Sequence, residues 1–305
     1  MQSKEVIRVE NLSKKFRRFH LRDVNFSLKE GYIMGVIGKN GAGKTTLMRL
    51  LLGVYTANSG EITVNGEKFY KNNCKLRQKI GYIAEDNQFL MSSTLLDNGT
   101  ILGKFYDDFD LSYYKSLLAR FQLDLDKTPN QLSKGMKTKF QLAFTLANHP
   151  KILLLDETTA GLDPLFRQEF LQILQSLVDE QGMAILLSSH ITTDLDKVAD
   201  YVMILDEGKV LSLTTKEDLM DEYRLVKGPR ELLHQLPNDL LLSVKATNSG
   251  FEGLAYRTGK IRGEEEWLRK LVVELPDLSD ILYYLTKKNI SMREERDDAS
   301  KTNTI

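Results

Sequence analysis

Apolar residues in this chain form short runs and alternating patterns. Three runs have the uninterrupted hydrophobicity that is typical of strands buried on both faces: 32–37, 152–155 and 183–187. Residues 4–10 and 23–28 instead alternate apolar and polar positions, as half-buried strands do. A further apolar segment, 61–64, is followed by Asn65-Gly66, a dipeptide typical of hairpin turns. We therefore expect an α/β protein in which a parallel sheet lies beside a smaller antiparallel sheet.

A glycine-rich loop follows the first apolar run. It reads Gly38-Lys39-Asn40-Gly41-Ala42-Gly43-Lys44-Thr45-Thr46 and precedes an apolar helical segment that continues to Gly53. Glycines at this spacing let the backbone turn tightly and direct successive N–H groups toward phosphate oxygens, at the positive end of the following helix. In this motif the lysine reaches the β- and γ-phosphates and the next hydroxyl binds Mg²⁺. The sequence therefore predicts a nucleoside triphosphate site with Lys44 and Thr45 in those roles.

Polar side chains end the two other apolar runs. Asp156 and Glu157 follow residues 152–155, and His190 comes shortly after residues 183–187. Because ligands in open α/β sheets bind beyond the carboxyl ends of the strands, we expect all three side chains near the phosphates. Asp156 is expected to hold Mg²⁺, and Glu157 to polarise the water that attacks the γ-phosphate. His190 is expected to contact the γ-phosphate or that water.

A second anion site is predicted at the start of an amphipathic helix. The segment Leu132-Ser133-Lys134-Gly135-Met136 precedes apolar positions that recur at helical spacing as far as Ala147. Ser133 can cap this helix, so that its hydroxyl and the free backbone N–H groups face an anion. One chain would then carry two phosphate-binding surfaces.

These ordered motifs resemble those of the ATP-binding-cassette (ABC) ATPases over about residues 4–213. In that family the segment 132–136 is the signature motif, which acts on ATP held by the phosphate loop of a second subunit. The resemblance implies a P-loop NTPase core with a RecA-like parallel sheet and an antiparallel β subdomain, ATP and Mg²⁺ as cofactors, and a dimer. Ser133 and Gly135 would then contact the ATP of the other subunit.

Two more segments match the family pattern. Ala160-Gly161-Leu162-Asp163 looks like the D-loop, which implies that Asp163 lies near the nucleotide. Phe16 occupies the place of the aromatic residue that stacks on adenine, although an ordinary core phenylalanine is the open alternative. Residues from about 86 to 149 read mainly as helices and would form the helical subdomain, where a membrane partner would sense ATP occupancy. The sequence alone does not sort the aromatic residues of that segment into core and interface.

Three positions depart from the commonest family pattern. Lys134 replaces a glycine and could attract the γ-phosphate or point into solvent. Glu85 stands where the family usually has glutamine, and its carboxylate can still ligate Mg²⁺ or its water, with Gln88 as the weaker candidate. Met136 replaces another glutamine and is interpreted as a packing residue. The first two departures resemble a bacterial subfamily that powers drug, bacitracin-type peptide and related exporters.

Composition agrees with a cytoplasmic protein. Acidic and basic residues balance at 42 each, which gives no reason to expect a nucleic-acid partner. The single cysteine, Cys74, excludes an intramolecular disulfide and a cysteine-rich metal site. We expect no signal peptide in the N-terminal segment 1–6, and no apolar run approaches the roughly 20 residues that cross a bilayer. A transport pore would therefore belong to a separate transmembrane permease chain.

The motifs stop after residue 213, near the start of the last third of the chain. Thr214-Thr215-Lys216-Glu217 reads as a capping box that opens a helix, Leu240–Lys245 as a strand, and Pro276-Asp277 as the start of a second helix. These elements predict a small α+β accessory domain over 214–293, for which a dimerisation or regulatory role and a passive extension both stay open. The polar tail 294–305 is expected to be disordered.

The resemblance implies an ATP-binding and ATP-hydrolysing subunit that dimerises around two ATP molecules. Such a subunit would drive export of a drug, a peptide or a similar substrate, at the inner face of the cell membrane. The alternative is an ABC ATPase that serves a soluble assembly or regulatory complex without transport. Neither the transported molecule nor the choice between a homodimer and a heterodimer is encoded in these motifs.

Overall fold

The computed structural model describes residues 4–70, 73–84, 89–237, 240–257 and 268–287. The chain divides into two compact units, Met1–Leu213 and Thr214–Ile305. In chain order, the described strands of the first unit are β1 (Glu5–Lys15), β2 (His20–Lys29), β3 (Ile33–Ile37), β4 (Ser59–Val64), β5 (Glu67–Lys68), β6 (Ile80–Ala84), β7 (Ile152–Asp156), β8 (Ala184–Ser189), β9 (Tyr201–Asp206) and β10 (Lys209–Thr215). Its described α-helices are α1 (Lys44–Leu51), α2 (Cys74–Gln78), α3 (Leu95–Leu102), α4 (Leu111–Arg120), α5 (Lys134–Leu146), α6 (Pro164–Gln181) and α7 (Thr192–Val198).

A six-stranded sheet forms the centre of the first unit, in the order β10-β9-β3-β8-β7-β6. The strands from β9 to β6 pair in parallel. Every residue of β3 and β7 is buried, as central parallel strands with two covered faces require. Strand β10 follows β9 through the turn Glu207-Gly208, whose residues have φ of 43° and 79°. The predicted parallel core is therefore confirmed, and a hairpin of β9 and β10 extends it.

A four-stranded antiparallel sheet, in the order β2-β1-β4-β5, accompanies the parallel sheet. Asn65 and Gly66 join β4 to β5 with φ of 52° and 82°, the left-handed pair that a tight hairpin turn needs. Buried residues of both sheets and of α1 belong to one hydrophobic cluster. Helix α1, which follows the glycine-rich loop, is thus fixed by packing from the two sheets.

Helices α3, α4 and α5 lie between β6 and β7 in the sequence and form the helical part of the unit. Phe144 of α5 is the centre of an aromatic cluster, with ring centroids 4.4–6.1 Å apart in its closest pairs; its members are Phe89, Tyr106, Phe109, Tyr114, Phe140 and Phe144. Tyr113 instead stacks on His149, and Phe105 is 75% exposed. Of these aromatic residues Tyr114 is fully buried, Phe89, Phe109 and Tyr113 are half-buried, and Tyr106 joins the cluster with 38% of its surface exposed.

The second unit is a small α+β domain. Its described elements are α8 (Lys216–Glu222), β11 (Tyr223–Gly228), β12 (Ser243–Ala246), β13 (Phe251–Tyr256), β14 (Val272–Glu274) and the helical residues 278–287. The strands form one sheet in the order β12-β13-β11-β14, with antiparallel pairing throughout. Residues packed on this sheet include Leu232, Leu236 and Leu240.

Two local predictions in this unit need correction. Thr215 rather than Thr214 caps α8, because its hydroxyl accepts from the Asp218 N–H at 3.0 Å. The strand expected from Leu240 starts only at Ser243, since Leu240 closes a turn onto Pro237 and packs into the core. The helix predicted after Pro276 is present. The tail 294–305 lies outside the described residues.

Within the described ranges, no helix combines the length and the apolar character that would let it cross a lipid bilayer.

Candidate nucleotide-binding and hydrolysis site

The order of the parallel strands brings the predicted site residues to one edge of the sheet. Strand β3 leads into the glycine-rich loop, β8 leads to His190, and β7 ends in Asp156 next to Glu157. These three strands are neighbours, and Ile37 pairs with Ser189 while Asp156 pairs with Ser188. The loop, the two carboxylates and the histidine therefore lie together. Glu85 and Gln88 follow the adjacent strand β6 but lie outside the described residues.

The glycine-rich loop takes a shape that two of its glycines make possible. A Cβ atom at Gly38 would lie 2.1 Å from the carbonyl oxygen of Leu205, which leaves no room for a side chain. Gly43 has φ of 116°, and the Phe19 ring packs against it. A Cβ atom added at Gly43 would lie 2.8 Å from the Cζ atom of Phe19. Larger residues at either position would push the loop away from β9 or from Phe19.

Lys44 is held inside this loop by three contacts. Its ammonium donates to the carbonyl oxygens of Gly38 at 2.7 Å and Lys39 at 3.3 Å. The same nitrogen lies 3.0 Å from Glu157 Oε1, and Lys44 is only 6% exposed. The loop therefore positions a buried cation directly beside the carboxylate that ends β7.

Glu157 connects this lysine to His190. Its Oε2 lies 2.5 Å from His190 Nδ1 and also accepts from the His190 backbone N–H at 3.3 Å. Burial raises the pKa of the Glu157 carboxyl, but the Lys44 charge and the His190 hydrogen bond outweigh this effect, so that the pKa lies below the usual value. The carboxylate is thus ionised at neutral pH, and His190 Nδ1–H donates to it. The predicted trio of Lys44, Glu157 and His190 is joined by direct contacts.

Asp156 is buried beside this trio and held by a residue to which the sequence pattern gave no role. The Ser188 hydroxyl donates to Asp156 Oδ1 at 2.6 Å. Both side chains are almost fully buried, and the Glu157 N–H lies 3.2 Å from the same hydroxyl oxygen. The sequence does offer one indication of this role, because Ser188 is a hydroxyl near the carboxyl end of an otherwise apolar strand. That end of a parallel strand faces the edge of the sheet where ligands bind.

Thr45 and Asp156 make a donor set that suits Mg²⁺. Mg²⁺ is usually held by one or two carboxylates together with substrate phosphates and waters, rather than by a full protein cage. Thr45 lies in the first turn of α1, and Asp156 is fixed by Ser188. In the described part of the chain, no three histidine, cysteine or acidic side chains converge on a metal position. This arrangement fits a metal that is completed by phosphate oxygens.

The signature segment has its own contacts, separate from those of the trio. Ser133 caps α5 by accepting from the Met136 N–H at 3.3 Å, as predicted. At Gly135 an added Cβ would lie 2.9 Å from the Phe166 ring. The Lys134 ammonium lies against Gly161, where an added Cβ would be 3.0 Å away. Lys134 therefore lies over the D-loop of its own chain.

Asp163 and Phe16 both have local partners. Asp163 caps α6 by accepting from the Phe166 N–H at 3.0 Å. Phe16 is half-buried after β1, with its ring 5.4 Å from that of Tyr55 and 6.4 Å from that of Phe19. Because Phe19 packs on Gly43, an aromatic surface runs from the glycine-rich loop to Phe16. Phe19 and Tyr55 were not among the predicted site residues.

Comparisons with known proteins agree with this geometry. A family model described as "ABC transporter" matches residues 21–160. The chain is 36% identical over 190 residues to the bacitracin transport ATP-binding protein BcrA of Bacillus licheniformis, covering 62% of each chain. It is 35% identical over 209 residues to the lantibiotic transport ATP-binding protein SrtF of Streptococcus pyogenes, covering 68% of this chain and 89% of that one.

Among solved structures, the chain is similar to CbiO1 of Clostridium perfringens, described as part of the ABC transporter complex CbiONQ. The TM-score is 0.63 at 27% identity, over 70% of this chain and 90% of that chain. The comparisons confirm the resemblance expected from the motifs, with ATP as the nucleotide. The chain therefore belongs to the ABC transporter ATP-binding proteins and is the ATPase subunit of such a transporter.

Proposed function

We propose that this chain dimerises around two ATP molecules and powers export of a peptide antibiotic or a drug through a separate transmembrane permease. The observation that carries this proposal is the contact of Lys44 and His190 with the two oxygens of Glu157, at 3.0 and 2.5 Å. This arrangement places a phosphate-binding cation, a carboxylate and a histidine within one constellation. Similarity to relatives named for bacitracin and lantibiotic transport supports the class of substrate.

In the proposed binding step, the loop Gly38–Thr46 surrounds the β- and γ-phosphates with backbone N–H groups. Lys44 exchanges its contact with Glu157 for the γ-phosphate while the carbonyl oxygens of Gly38 and Lys39 keep its ammonium in place. Phe16 offers its half-buried ring to the adenine. Mg²⁺, held by Thr45 and Asp156 with Glu85 as a further candidate, would neutralise charge that develops on the phosphates.

In the proposed hydrolysis step, Glu157 is the general base. The water oxygen bonds to the γ-phosphorus, the bond from that phosphorus to the bridging oxygen breaks, and Glu157 accepts a proton from the water. ADP leaves with the bridging oxygen. His190 holds Glu157 through Nδ1, which leaves its Nε2 for the γ-phosphate or the water. Ser188 keeps Asp156 oriented throughout.

The second half of the ATP site belongs to another subunit in this proposal. Ser133 and the N-terminus of α5 form an anion-binding surface, and Ser133 is exposed. Gly135 allows the backbone to approach a phosphate closely, and Asp163 lies at the start of α6 on the nearby D-loop. ATP bound between two head-to-tail subunits would hold the dimer closed, and hydrolysis would open it.

A groove between the core and the helical part is the proposed contact surface for the permease. It has a volume of about 670 Å³, and its lining includes Arg49 of α1, Tyr82 of β6 and Gln141 of α5. The exposed Phe105 stands at the same groove. Because α1 follows the phosphate loop and α5 follows the signature segment, an occupant of this groove would sense both halves of the ATP site. The protein would then work at the inner face of the membrane.

The central test is the Glu157→Gln variant with Glu169→Gln as its matched control. Glu169 is half-exposed and pairs with Lys139 at 3.2 Å. We expect Glu157→Gln to bind ATP, to lose turnover by roughly 10²- to 10⁴-fold, and to accumulate as a dimer in ATP. The control should keep turnover. Undiminished hydrolysis by Glu157→Gln would remove Glu157 from the role of base.

Export is tested with the complex that this chain forms in its host membrane. The complex purified in detergent should contain a multi-span membrane protein. In inside-out vesicles it should accumulate a peptide antibiotic when ATP is supplied outside. Repeated recovery of soluble partners alone would contradict the transport proposal, and uptake in the opposite orientation would contradict its direction.

A further inference from the structure

One ion pair connects the two helices that follow the D-loop and His190. Helix α6 starts directly after Asp163, and helix α7 starts two residues after His190. The guanidinium of Arg167, on α6, donates from Nε to Asp194 Oδ1 on α7 at 2.6 Å. Its Nη2 lies 3.4 Å from Thr193 Oγ1 of the same helix. The first turns of the two helices are therefore joined to each other.

The acidic partner of this pair is deeply buried. Asp194 is 1% exposed, whereas the Arg167 side chain keeps 26% of its surface exposed. A buried carboxylate has to be paired and hydrogen-bonded, and removal of its partner is strongly destabilising. The guanidinium is planar and has fixed donor directions, so it also defines the angle at which the carboxylate approaches. The pair therefore fixes α7 relative to α6 more firmly than an exposed ion pair would.

On the α6 side, Arg167 belongs to the helical turn that begins at the D-loop. Its backbone N–H donates to the carbonyl oxygen of Asp163 at 2.9 Å. The Asp163 carboxylate in turn accepts from the Phe166 N–H at 3.0 Å. Pro164 occupies the first position of α6, where its ring sets the helical φ in advance. The D-loop aspartate and Arg167 therefore belong to one well-defined turn.

On the α7 side, a short series of hydrogen bonds leads from the ion pair to His190. The Asp194 N–H donates to the Ile191 carbonyl oxygen at 3.2 Å, and the Ile191 N–H donates to Ser189 Oγ at 2.9 Å. His190 lies between Ser189 and Ile191, and its backbone N–H and Nδ1 both contact Glu157 Oε2. The apolar side chain of Ile191 cannot cap α7, so the contact of Asp194 with α6 helps to fix where this helix begins.

We propose that Arg167 and Asp194 are positioning residues for ATP hydrolysis. Their ion pair holds the start of α7 against α6 and thereby holds His190 against Glu157 in the geometry that hydrolysis needs. Neither residue contacts the nucleotide in this proposal. The D-loop and His190 of one chain then keep a fixed relation, so that a displacement of the D-loop also displaces the histidine. This inference rests on the proposed roles of Glu157 and His190.

Steady-state ATP hydrolysis by the full-length protein tests this role. The first variant is Arg167→Met, which removes the cation. The second combines Arg167→Met with Asp194→Leu and replaces the whole pair by apolar side chains. Because such replacements of a buried pair are often neutral for stability, the double variant keeps the test decisive if the single one does not fold. Glu169→Gln is the matched control, since Glu169 lies on the same helix but pairs with Lys139.

We expect both variants to lower kcat about 10- to 100-fold, the effect of moving a group beside the reacting atoms by up to about 1 Å. The KM for ATP should change less than about twofold, because the contacts that bind the nucleotide stay in place. Arg167→Lys, which keeps the charge and loses the planar geometry, should recover part of the turnover. The control should keep both constants. A wild-type kcat in the double variant, or a higher KM at an unchanged kcat, would overturn the proposal.

A spectroscopic measurement separates positioning from a general loss of structure. The chain has four histidines, His20, His149, His190 and His234. In protein with isotope-labelled histidine, the His190 ring signal is assigned by its absence in His190→Ala and reports the contact of Nδ1 with Glu157. In the double variant this signal should shift toward that of a free imidazole, while the other three stay as in the wild type. An unchanged His190 signal, or a shift of all four, would contradict the positioning role.

Glu157→Gln is measured in the same assay to keep the two proposals apart. If this variant hydrolyses ATP as fast as the wild type does, the proposed function itself fails. If Glu157→Gln is slow while the double variant is as fast as the wild type, the positioning role alone fails.

Discussion

Ser188 offers the sharpest test of how the site is built. Its hydroxyl donates to Asp156 Oδ1 at 2.6 Å, and both side chains are buried, with exposed fractions of 0% and 5%. Ser188→Ala would leave a buried carboxylate oxygen without this donor. Hydrogen bonds to charged groups contribute about 1.5–3 kcal/mol, so we expect the free energy of unfolding of the first unit to fall by about 2–3 kcal/mol. Turnover should fall as well, because Asp156 loses the contact that orients it.

The adjacent serine provides the control. Ser189 is equally buried, but among the described residues its hydroxyl bonds to the backbone of Ile191 alone, accepting at 2.9 Å and donating at 3.3 Å. Loss of a neutral bond costs about 1 kcal/mol, so Ser189→Ala should be clearly milder. Urea unfolding followed by circular dichroism measures both variants. If Ser188→Ala costs no more than Ser189→Ala, the bond to Asp156 does not support the site.

Three further perturbations follow from the same contacts. Phe144→Ala removes the ring at the centre of the aromatic cluster and should lower the free energy of unfolding by about 3–5 kcal/mol. Phe105→Ala removes an exposed ring and should change this free energy by less than about 0.5 kcal/mol in the same urea titration. Because the pKa of Glu157 is lowered in the folded protein, the stability that its charge contributes is present above its unfolded pKa of 4.5 and is lost as the pH falls through the lower folded value. The stability difference between wild type and Glu157→Gln should therefore be constant above about pH 5.5 and shrink below pH 4.5, and a constant difference down to pH 3 would contradict the ion pair. Gly38→Ala should lose nucleotide binding measured by fluorescence, since its Cβ would lie 2.1 Å from the Leu205 oxygen, and unchanged affinity would contradict the observed loop geometry.

Local patterns were sufficient to predict the centre of the fold and of the site. An uninterrupted apolar run predicts a strand that is buried on both faces. The residues that follow such strands lie at one edge of the sheet, because parallel strands all end at that edge. The same reasoning predicts Lys44, Glu157 and His190 at one edge of the sheet, and the structure joins them by direct contacts. Such predictions depend only on periodicity and on strand direction.

Features that depend on neighbours distant in the sequence were not predictable in the same way. The hydrogen bond of Ser188 to Asp156 joins two strands that are 32 residues apart in sequence, and no periodicity reports it. The packing of Phe19 on Gly43 likewise depends on how the two sheets enclose the loop. The predicted start of the strand at Leu240 was wrong, because Leu240 and Leu241 pack into the hydrophobic core of the second unit instead of pairing with a neighbouring strand. The strand itself starts at Ser243.

The position of Lys134 changes how the two halves of the proposed ATP site relate to each other. A lysine in the signature segment could act on the ATP of the partner subunit, but its ammonium lies against Gly161 of its own D-loop. Lys134 therefore belongs to the D-loop surface of its own subunit, whereas the exposed Ser133 of the same segment faces outward, where the proposed dimer would bring the ATP of the other subunit. One helix start would then connect the D-loop of one subunit with the substrate of its partner.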